Sequence, residues 1–426
     1  MNKFTKVCDE KLGDFYYQIK HSSGLDIILY PKVGFVTSYA MFSTKYGSID
    51  TSFKLDTDDE IHTVPAGIAH FLEHKLFESE DGDAFLKYAK TGASANAYTS
   101  FESTCYLFST TQNLYDALEI LLDFVQNPYF TKESVDKEQG IIGQEIKMYD
   151  DDPNWRVMFN LLKAMYHNHT VKEDIAGTTQ SISEITPEYL YSCYNTFYNL
   201  NNMNLVISGN FDMDKIIQMC DDLLKPSTNV NITRYFKDEP DTVVQSNITE
   251  KLSVASPLFQ IGYKENIKGV LSEEEIATTE ILLDVIASSS SPLFKKLYDN
   301  ELVNEESFSY EHFEGESYSV ILFGGESKEP EKVQEEIENY IDELKNTGIN
   351  EDDFERAKKS IYGANIAGLN SSATIANAIT SLNFKNRELF RYINSFENIT
   401  VDDVNARMNK LFENKNSVLS LILPMD

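Results

Sequence analysis

The sequence predicts an α+β fold made of two tandem homologous domains, each a mainly antiparallel sheet covered by helices. Residues 14–46 form short runs of β-branched and aromatic side chains separated by turn residues, which is the pattern of strands. Long segments with helical periodicity follow. The order of these segments recurs in the second half, and 426 residues are more than one compact core normally holds. A tandem pair of similar domains accounts for all three observations.

The elements of the first half follow from local sequence. Thr186 and Pro187 are typical of a helix start, with Thr as the N-cap and Pro at the first helical position. Apolar periodicity predicts the other helices, and turn residues separate the strands. The predicted order is strands at 16–20, 25–30 and 36–46, a helix from about 68, a short helix at 84–90, a strand pair between 93 and 110, helices at 114–126, 132–149, 153–166 and 186–198, and a strand at 203–208.

The second half repeats this order. The segment from Thr186 matches the segment from Thr400 without a gap at an offset of 214, and the segment from Phe130 matches the one from Ile349 at an offset of 219. A period this long indicates a domain duplication and not a solenoid. Residues 225–250 are rich in Pro, Ser, Thr and Asn, as linkers are. We therefore predict a first domain at 1–224, a linker at 225–250 and a second domain at 251–426.

The charge balance excludes some classes of partner. The chain has 37 basic and 68 acidic residues, a net charge of −31, which argues against nucleic acid and against an anionic membrane surface. The first 20 residues contain no apolar run of the kind found in a signal peptide. The sequence also has no stretch of the roughly 18 apolar residues that span a membrane. We expect a cytoplasmic protein without a membrane partner.

The pattern His70-x-x-Glu73-His74 is the strongest chemical signal in the chain. In a helix, where each residue turns by about 100°, the two histidines lie one turn apart on one face with Glu73 beside them. Two imidazoles in this arrangement can bind one metal ion, and the carboxylate can hold a water that the ion activates. The alternative is a structural polar cluster. The neighbouring residues are mostly apolar, and burial of these three polar groups is costly unless they are paired or bound to metal.

A zinc site of this kind needs a third protein ligand. Glu138 and Glu145 are better candidates for this ligand than the other histidines of the chain. They lie seven residues apart on one face of the helix predicted at 132–149. The alternative is that both carboxylates lie on a solvent-exposed face of this helix and bind no metal. At the offset of 219 they correspond to Ala357 and Ala364, and the second half lacks the His-x-x-Glu-His pattern. The first domain is therefore predicted to carry the metal and the second to be metal-less.

Taken together, these motifs resemble the pitrilysin/insulinase family of inverzincin zinc metallopeptidases, and the resemblance covers most of the chain. It rests on His70-x-x-Glu73-His74, on Glu138 and Glu145 about 70 residues downstream, and on the run Asn96-Ala97-Tyr98-Thr99. The two-domain length is similar to the bacterial branch that resembles the mitochondrial processing peptidases. The resemblance implies a hydrolase that acts as an endopeptidase on unfolded peptides or processes a peptide precursor.

The resemblance also implies a role for each residue of the motifs. His70, His74 and Glu145 would bind one zinc ion per chain. Glu73 would be the general base, and Glu138 would be a second catalytic carboxylate that assists at the metal site.

The substrate and partner residues are likewise implied by the resemblance. Asn96 and Ala97 would lie on an edge strand to which an extended peptide adds. Family members carry an Arg and a Tyr in the second domain that contact the substrate; here Tyr298 stands in the place of the Arg, and Phe308 is near the place of the Tyr. This departure predicts a homologous metal-less subunit as partner, or a homodimer. The alternative function is a non-catalytic or weakly active assembly or modification subunit.

Overall fold

A computed structural model describes residues 3–57, 59–80, 82–227, 229–412 and 416–425 of the chain. Its contacts divide the chain into two compact units. The first unit contains the segment up to Ile146, Asp174–Tyr235 and Gly368–Phe390, and the second contains Lys147–Glu173, Phe236–Ala367 and the segment from Arg391. Each unit combines helices with a mainly antiparallel sheet, which confirms the predicted fold class.

The first unit is built on a sheet with the strand order β1-β2-β3-β11-β4-β10-β9. Only the pair β3/β11 is parallel among the described strands of this sheet. Strand β9 is therefore an outer strand, paired on one side by β10. The strands of this unit are β1 Lys3–Asp9, β2 Asp14–Lys20, β3 Asp26–Pro31, β4 Ser38–Thr44, β5 Ser52–Leu55, β6 His62–Thr63, β7 Glu78–Ser79, β8 Gly82–Asp83, β9 Ser94–Thr99, β10 Thr104–Thr110, β11 Met203–Gly209 and β12 Ile232–Arg234.

The sheet of the second unit repeats the connectivity of the first. Its order is β13-β17-β14-β16-β15, with β13/β17 parallel and the other pairs antiparallel. Strands β13, β17, β14, β16 and β15 thus correspond to β3, β11, β4, β10 and β9 of the first unit. These strands are β13 Asn247–Leu252, β14 Leu258–Glu265, β15 Ser309–Gly315, β16 Tyr318–Glu326 and β17 Ser417–Pro424.

The helices carry the same repeat. The Thr186 and Thr400 side chains cap α7 and α15, which begin 214 residues apart, as the sequence predicts. Helices α4 and α12 begin 219 residues apart. The α-helices are α1 Ile68–Leu76, α2 Ala84–Tyr88, α3 Leu114–Val125, α4 Lys132–Asp150, α5 Pro153–Met165, α6 Thr179–Ser183, α7 Pro187–Phe197, α8 Met213–Leu223, α9 Glu273–Ala287, α10 Pro292–Asp299, α11 Pro330–Thr347, α12 Glu351–Gly368, α13 Ser372–Phe384, α14 Leu389–Asn398 and α15 Val401–Leu411.

Two equivalent helices are exchanged between the halves of the sequence. Helix α13 packs on β4 and β11 of the first unit, and α5 packs on β14 and β17 of the second. The second contact is close at Gly262, where an added Cβ would lie 2.7 Å from Cε of Met165. The compact units are consequently discontinuous in sequence. The division at 1–224, 225–250 and 251–426 stays a prediction about the duplicated sequence, and its linker range contains β12 and the start of β13.

None of the helices in the described part of the chain is both long and apolar enough to cross a membrane.

Candidate metal centre

Helix α1 presents the His-x-x-Glu-His pattern from a buried position in the first unit. It begins after Gly67, whose φ of 88° favours glycine, and an added Cβ there would collide with the carbonyl of Ala176. The apolar residues of the helix are buried. His70 and Glu73 are buried with them, which the hydrophobic effect alone does not favour.

The structure brings His70, His74 and Glu145 together. The two imidazole centroids are 4.5 Å apart. Nε2 of His70 lies 3.7 Å from Oε1 of Glu145, and Nε2 of His74 lies 3.4 Å from Oε2 of the same carboxylate. Among the described residues, these three form the cluster of His, Cys, Asp or Glu side chains that could hold a metal ion. One ligand atom of each lies within 4.8 Å of the other two.

These separations suit a tetrahedral ion. Ligands at the usual zinc bond lengths of about 2.0–2.1 Å stand roughly 3.3 Å apart. Two imidazole nitrogens with one carboxylate oxygen form a donor set common in catalytic zinc sites, where the fourth position stays open. The residues therefore fit zinc by both spacing and chemistry.

Glu138 orients His74 from the opposite side of the ring. Nδ1 of His74 lies 3.0 Å from Oε1 of Glu138, so a proton on Nδ1 leaves the Nε2 lone pair facing Glu145. Burial alone would lower the pKa of His74, but the hydrogen bond to Glu138 and the neighbouring carboxylates raise it. Burial, together with His74, lowers the pKa of His70 to about 4, so that imidazole is neutral near pH 7.

Glu73 is held by a residue of strand β9. The Thr99 hydroxyl donates a hydrogen bond to Oε2 of Glu73 at 2.8 Å. Burial of this carboxyl, which is 9% exposed, raises the pKa of Glu73 against the lowering effect of the Thr99 hydrogen bond. Thr99 belongs to the run Asn96-Ala97-Tyr98-Thr99, but no local signal in the sequence predicts its contact with Glu73, 26 residues away.

Asn96 and Ala97 lie on the outer strand β9 beside the cluster. The Ala97 N–H donates to Oδ1 of Asn96 at 2.9 Å. A cavity of about 540 Å³ extends from Glu73 and His74 to these two residues. Sequence reasoning missed its apolar walls, which are Phe77, Phe85 and Ile141.

Comparison with known proteins decides the family. Residues 62–179 match the family model "Insulinase (Peptidase family M16)", and residues 184–361 match "Peptidase M16 inactive domain". The chain is 42% identical over 404 residues to the "Uncharacterized zinc protease YmfH" of Bacillus subtilis (strain 168), an alignment that covers 93% of each chain.

The chain belongs to peptidase family M16.

Solved M16 structures agree with this assignment. The crystal structure of an M16-like peptidase from Alicyclobacillus acidocaldarius is 35% identical, covers 99% of each chain and superposes with a TM-score of 0.92. Pitrilysin shares the fold with a TM-score of 0.77 at 17% identity, over 99% of this chain and 46% of its own. The predicted membership of the pitrilysin/insulinase family is confirmed, and the names of the M16 relatives support zinc as the metal.

The second half, of which residues 251–361 lie within the inactive-domain match at 184–361, has apolar residues in place of the two carboxylates. Ala357 on α12 corresponds to Glu138 on α4 and is fully buried, and Ala364 corresponds to Glu145.

Tyr298 is not part of the cluster in the first unit. It lies on α10 of the second unit, 52% exposed, and lines a separate cavity of about 750 Å³ there. Phe308 is partly buried against the core of the same unit. The substrate role of Tyr298 stays a prediction.

Proposed function

We propose that this M16 protein is a zinc-dependent endopeptidase that cleaves unfolded peptides or processes a peptide precursor. The observation that carries the proposal is the convergence of His70, His74 and Glu145 within 4.8 Å, directly beside the buried Glu73. Burial of two imidazoles and a carboxylate this close together is costly unless they are paired or bound to metal, and one shared zinc ion would offset that cost for all three.

The residues of the cluster divide into ligands and supports. His70 and His74 would hold one zinc ion through Nε2, and Glu145 would hold it through its carboxylate. The chemistry that zinc supplies when bound is activation of a water and polarisation of a carbonyl. Glu138 keeps the His74 ring in place through Nδ1, which maintains the Nε2 lone pair toward the ion.

Glu73 is the proposed general base. Its Oε2 already accepts the Thr99 hydrogen bond, so Oε1 is the oxygen that takes the proton from the attacking water. Burial raises the pKa of this carboxyl toward the range in which it can also return the proton to the leaving amine.

The proposed substrate is a peptide in extended conformation. An unfolded segment can add to the open edge of β9, alongside Asn96 and Ala97, by main-chain hydrogen bonds, which a folded protein cannot offer. The adjacent cavity would then take a side chain close to the scissile bond, between Phe77, Phe85 and Ile141.

We further propose that the protein acts in the cytoplasm with a homologous metal-less subunit, the alternative being a homodimer. Tyr298 and Phe308 offer one phenol and one phenyl ring where relatives are expected to have two polar donors. The same replacement favours a second candidate function, in which the chain is a weakly active assembly or modification subunit.

Metal analysis tests the proposal first. The purified protein should hold one zinc per chain, and His70→Ala should lose it while remaining folded by circular dichroism. His169→Ala is not a suitable control, because this buried ring bonds the carbonyl of Glu316. His62→Ala is a better one, because this half-buried ring lies on β6 and stacks on Phe53 outside the cluster, and it should keep the metal. Full zinc occupancy in His70→Ala would contradict the assignment.

A further inference from the structure

Strand β9 is anchored by side chains on both of its faces. The Tyr98 hydroxyl donates to Oδ1 of Asn377 on α13 at 3.1 Å, and the Thr99 hydroxyl donates to Glu73 on α1 at 2.8 Å. Since successive residues of a strand point to opposite faces, α13 and α1 hold β9 from the two sides of the sheet. Strand β9, which is an outer strand among the described strands of this sheet, is thereby fixed relative to α1.

The same strand has a definable open edge. The Ala97 N–H is bonded by the Asn96 side chain, so it points away from β10. Because main-chain groups alternate along an antiparallel strand, those of Ala95, Ala97 and Thr99 face the open edge. Thr99 therefore has its main chain where an added peptide would pair and its side chain on the carboxylate of Glu73.

We propose that Thr99 is a positioning residue that fixes the Glu73 carboxylate relative to the strand on which the substrate lies. This inference rests on the proposed function. The Thr99 hydroxyl occupies Oε2 and directs Oε1 to the site of proton transfer. Base and peptide are then aligned by one residue, and a displacement of the carboxylate would lower the rate without weakening peptide binding.

Two variants separate the hydroxyl from the shape of the side chain. Thr99→Val keeps the shape and removes the donor, and Thr99→Ser keeps the donor. A hydrogen bond to a charged group stabilises that group strongly. Its loss in Thr99→Val should therefore lower kcat by about 10- to 100-fold and leave KM nearly unchanged. Thr99→Ser should restore most of kcat. The kcat and KM of both variants are measured with an unfolded peptide that the wild type cleaves. The metal-less subunit is included if the wild type needs it for this cleavage.

The matched control is Tyr16→Phe. It removes another hydroxyl-to-carboxylate bond of the first unit, from Tyr16 to Glu388 at 2.6 Å, away from the metal cluster. It should lower thermal stability and leave kcat unchanged. If Thr99→Val raised KM with kcat intact, or if Thr99→Ser were as slow as Thr99→Val, Thr99 would serve only the strand and the inference would fail.

A crystal structure of each zinc-loaded variant gives a readout that does not depend on turnover. The Glu73 carboxylate should keep its wild-type orientation in Thr99→Ser and adopt another or several in Thr99→Val. An unchanged Glu73 in Thr99→Val would overturn the inference. If the wild type cleaved no peptide, the proposed function would fail, and this comparison would still decide what Thr99 does.

Discussion

His74 and Glu138 are joined through Nδ1 and Oε1 at 3.0 Å, and this contact turns Nε2 of the same ring toward Glu145. The two carboxylates of α4 therefore touch the same imidazole at different nitrogens. One is placed to bind the metal and the other to orient a ligand.

This arrangement predicts different effects of neutralising the two carboxylates. Glu145→Gln should lose most of the zinc. Glu138→Gln should bind zinc at full stoichiometry in excess metal, with an affinity about 10- to 100-fold lower, as expected for a partner of a ligand. Titration against a chromophoric chelator measures both. Full affinity in Glu145→Gln with metal loss in Glu138→Gln would reverse the assignment of the two residues.

Peptide binding to β9 predicts a dependence on main-chain donors. In the Glu73→Gln background, a bound peptide should lie along residues 95–99 and form main-chain hydrogen bonds with Ala95, Ala97 and Thr99, visible in a crystal structure of the complex. N-methylation of the peptide amides that face the strand should weaken binding, and N-methylation of the alternate amides should not, since those point away. A peptide bound without pairing to β9 would contradict this mode.

The second unit contains a buried ion pair whose removal should lower the stability of the protein. Nη1 and Nη2 of Arg407 donate to Oε1 and Oε2 of Glu265 at 2.5 and 2.7 Å, with the side chains 4% and 7% exposed. Glu265→Gln should lower the free energy of unfolding by about 3–5 kcal/mol, because it leaves the buried Arg407 without the carboxylate to which it is hydrogen-bonded. Glu355→Gln, which removes an exposed helical pair with Lys359, should cost about 0.5 kcal/mol or less.

The same pair predicts a pH dependence. Burial opposes ionisation of Glu265, but Arg407, together with the Ser319 hydroxyl and Lys410, outweighs burial and lowers the pKa of this carboxyl. A group whose folded-state pKa is lowered stabilises the fold above its unfolded pKa, about 4.3 for Glu, and loses that contribution as pH falls through the folded value. The difference between wild type and Glu265→Gln in urea unfolding should be full at pH 7 and shrink below about pH 4. A difference that did not change with pH would contradict the ionised pair.

The replacements at Tyr298 and Phe308 predict weak peptidase activity for the chain alone, even with zinc bound. A phenol can donate one hydrogen bond to a developing oxyanion and a phenyl ring none, so a homologous metal-less subunit should raise turnover. Assay against an unfolded-peptide library with and without that subunit tests this. Full turnover by the chain alone that is lost in Tyr298→Phe would favour the homodimer instead.

The features that could be predicted from the sequence are local or repeated. The spacing of His70 and His74 on a helix is a local geometric fact, and Glu138 and Glu145 share a helix face for the same reason. The caps Thr186 and Thr400 act within one turn, and the repeat made the matching elements recognisable. Each of these features can be predicted without knowing which helices pack on which strands.

The features that sequence reasoning missed depend on tertiary packing. An amphipathic helix has an apolar face but does not specify which sheet will cover it, so the exchange of α5 and α13 carries no local signal. The Thr99 bond to Glu73 likewise joins a strand and a helix through their final placement. Strand β1 was missed because it lacks a buried apolar face. Phe4, Thr5, Lys6 and Cys8 are exposed, and the strand pairs at the margin of the sheet.

The most direct test of the account is the turnover of Glu73→Gln, measured with zinc loaded and with the metal-less subunit present wherever the wild type requires it. The amide preserves the shape of the side chain and cannot take a proton. If Glu73 is the general base, Glu73→Gln should hold one zinc per chain, bind peptide as the wild type does and have a kcat about 10²- to 10⁴-fold below wild type. Turnover above about a hundredth of the wild-type rate would remove Glu73 from the role of general base.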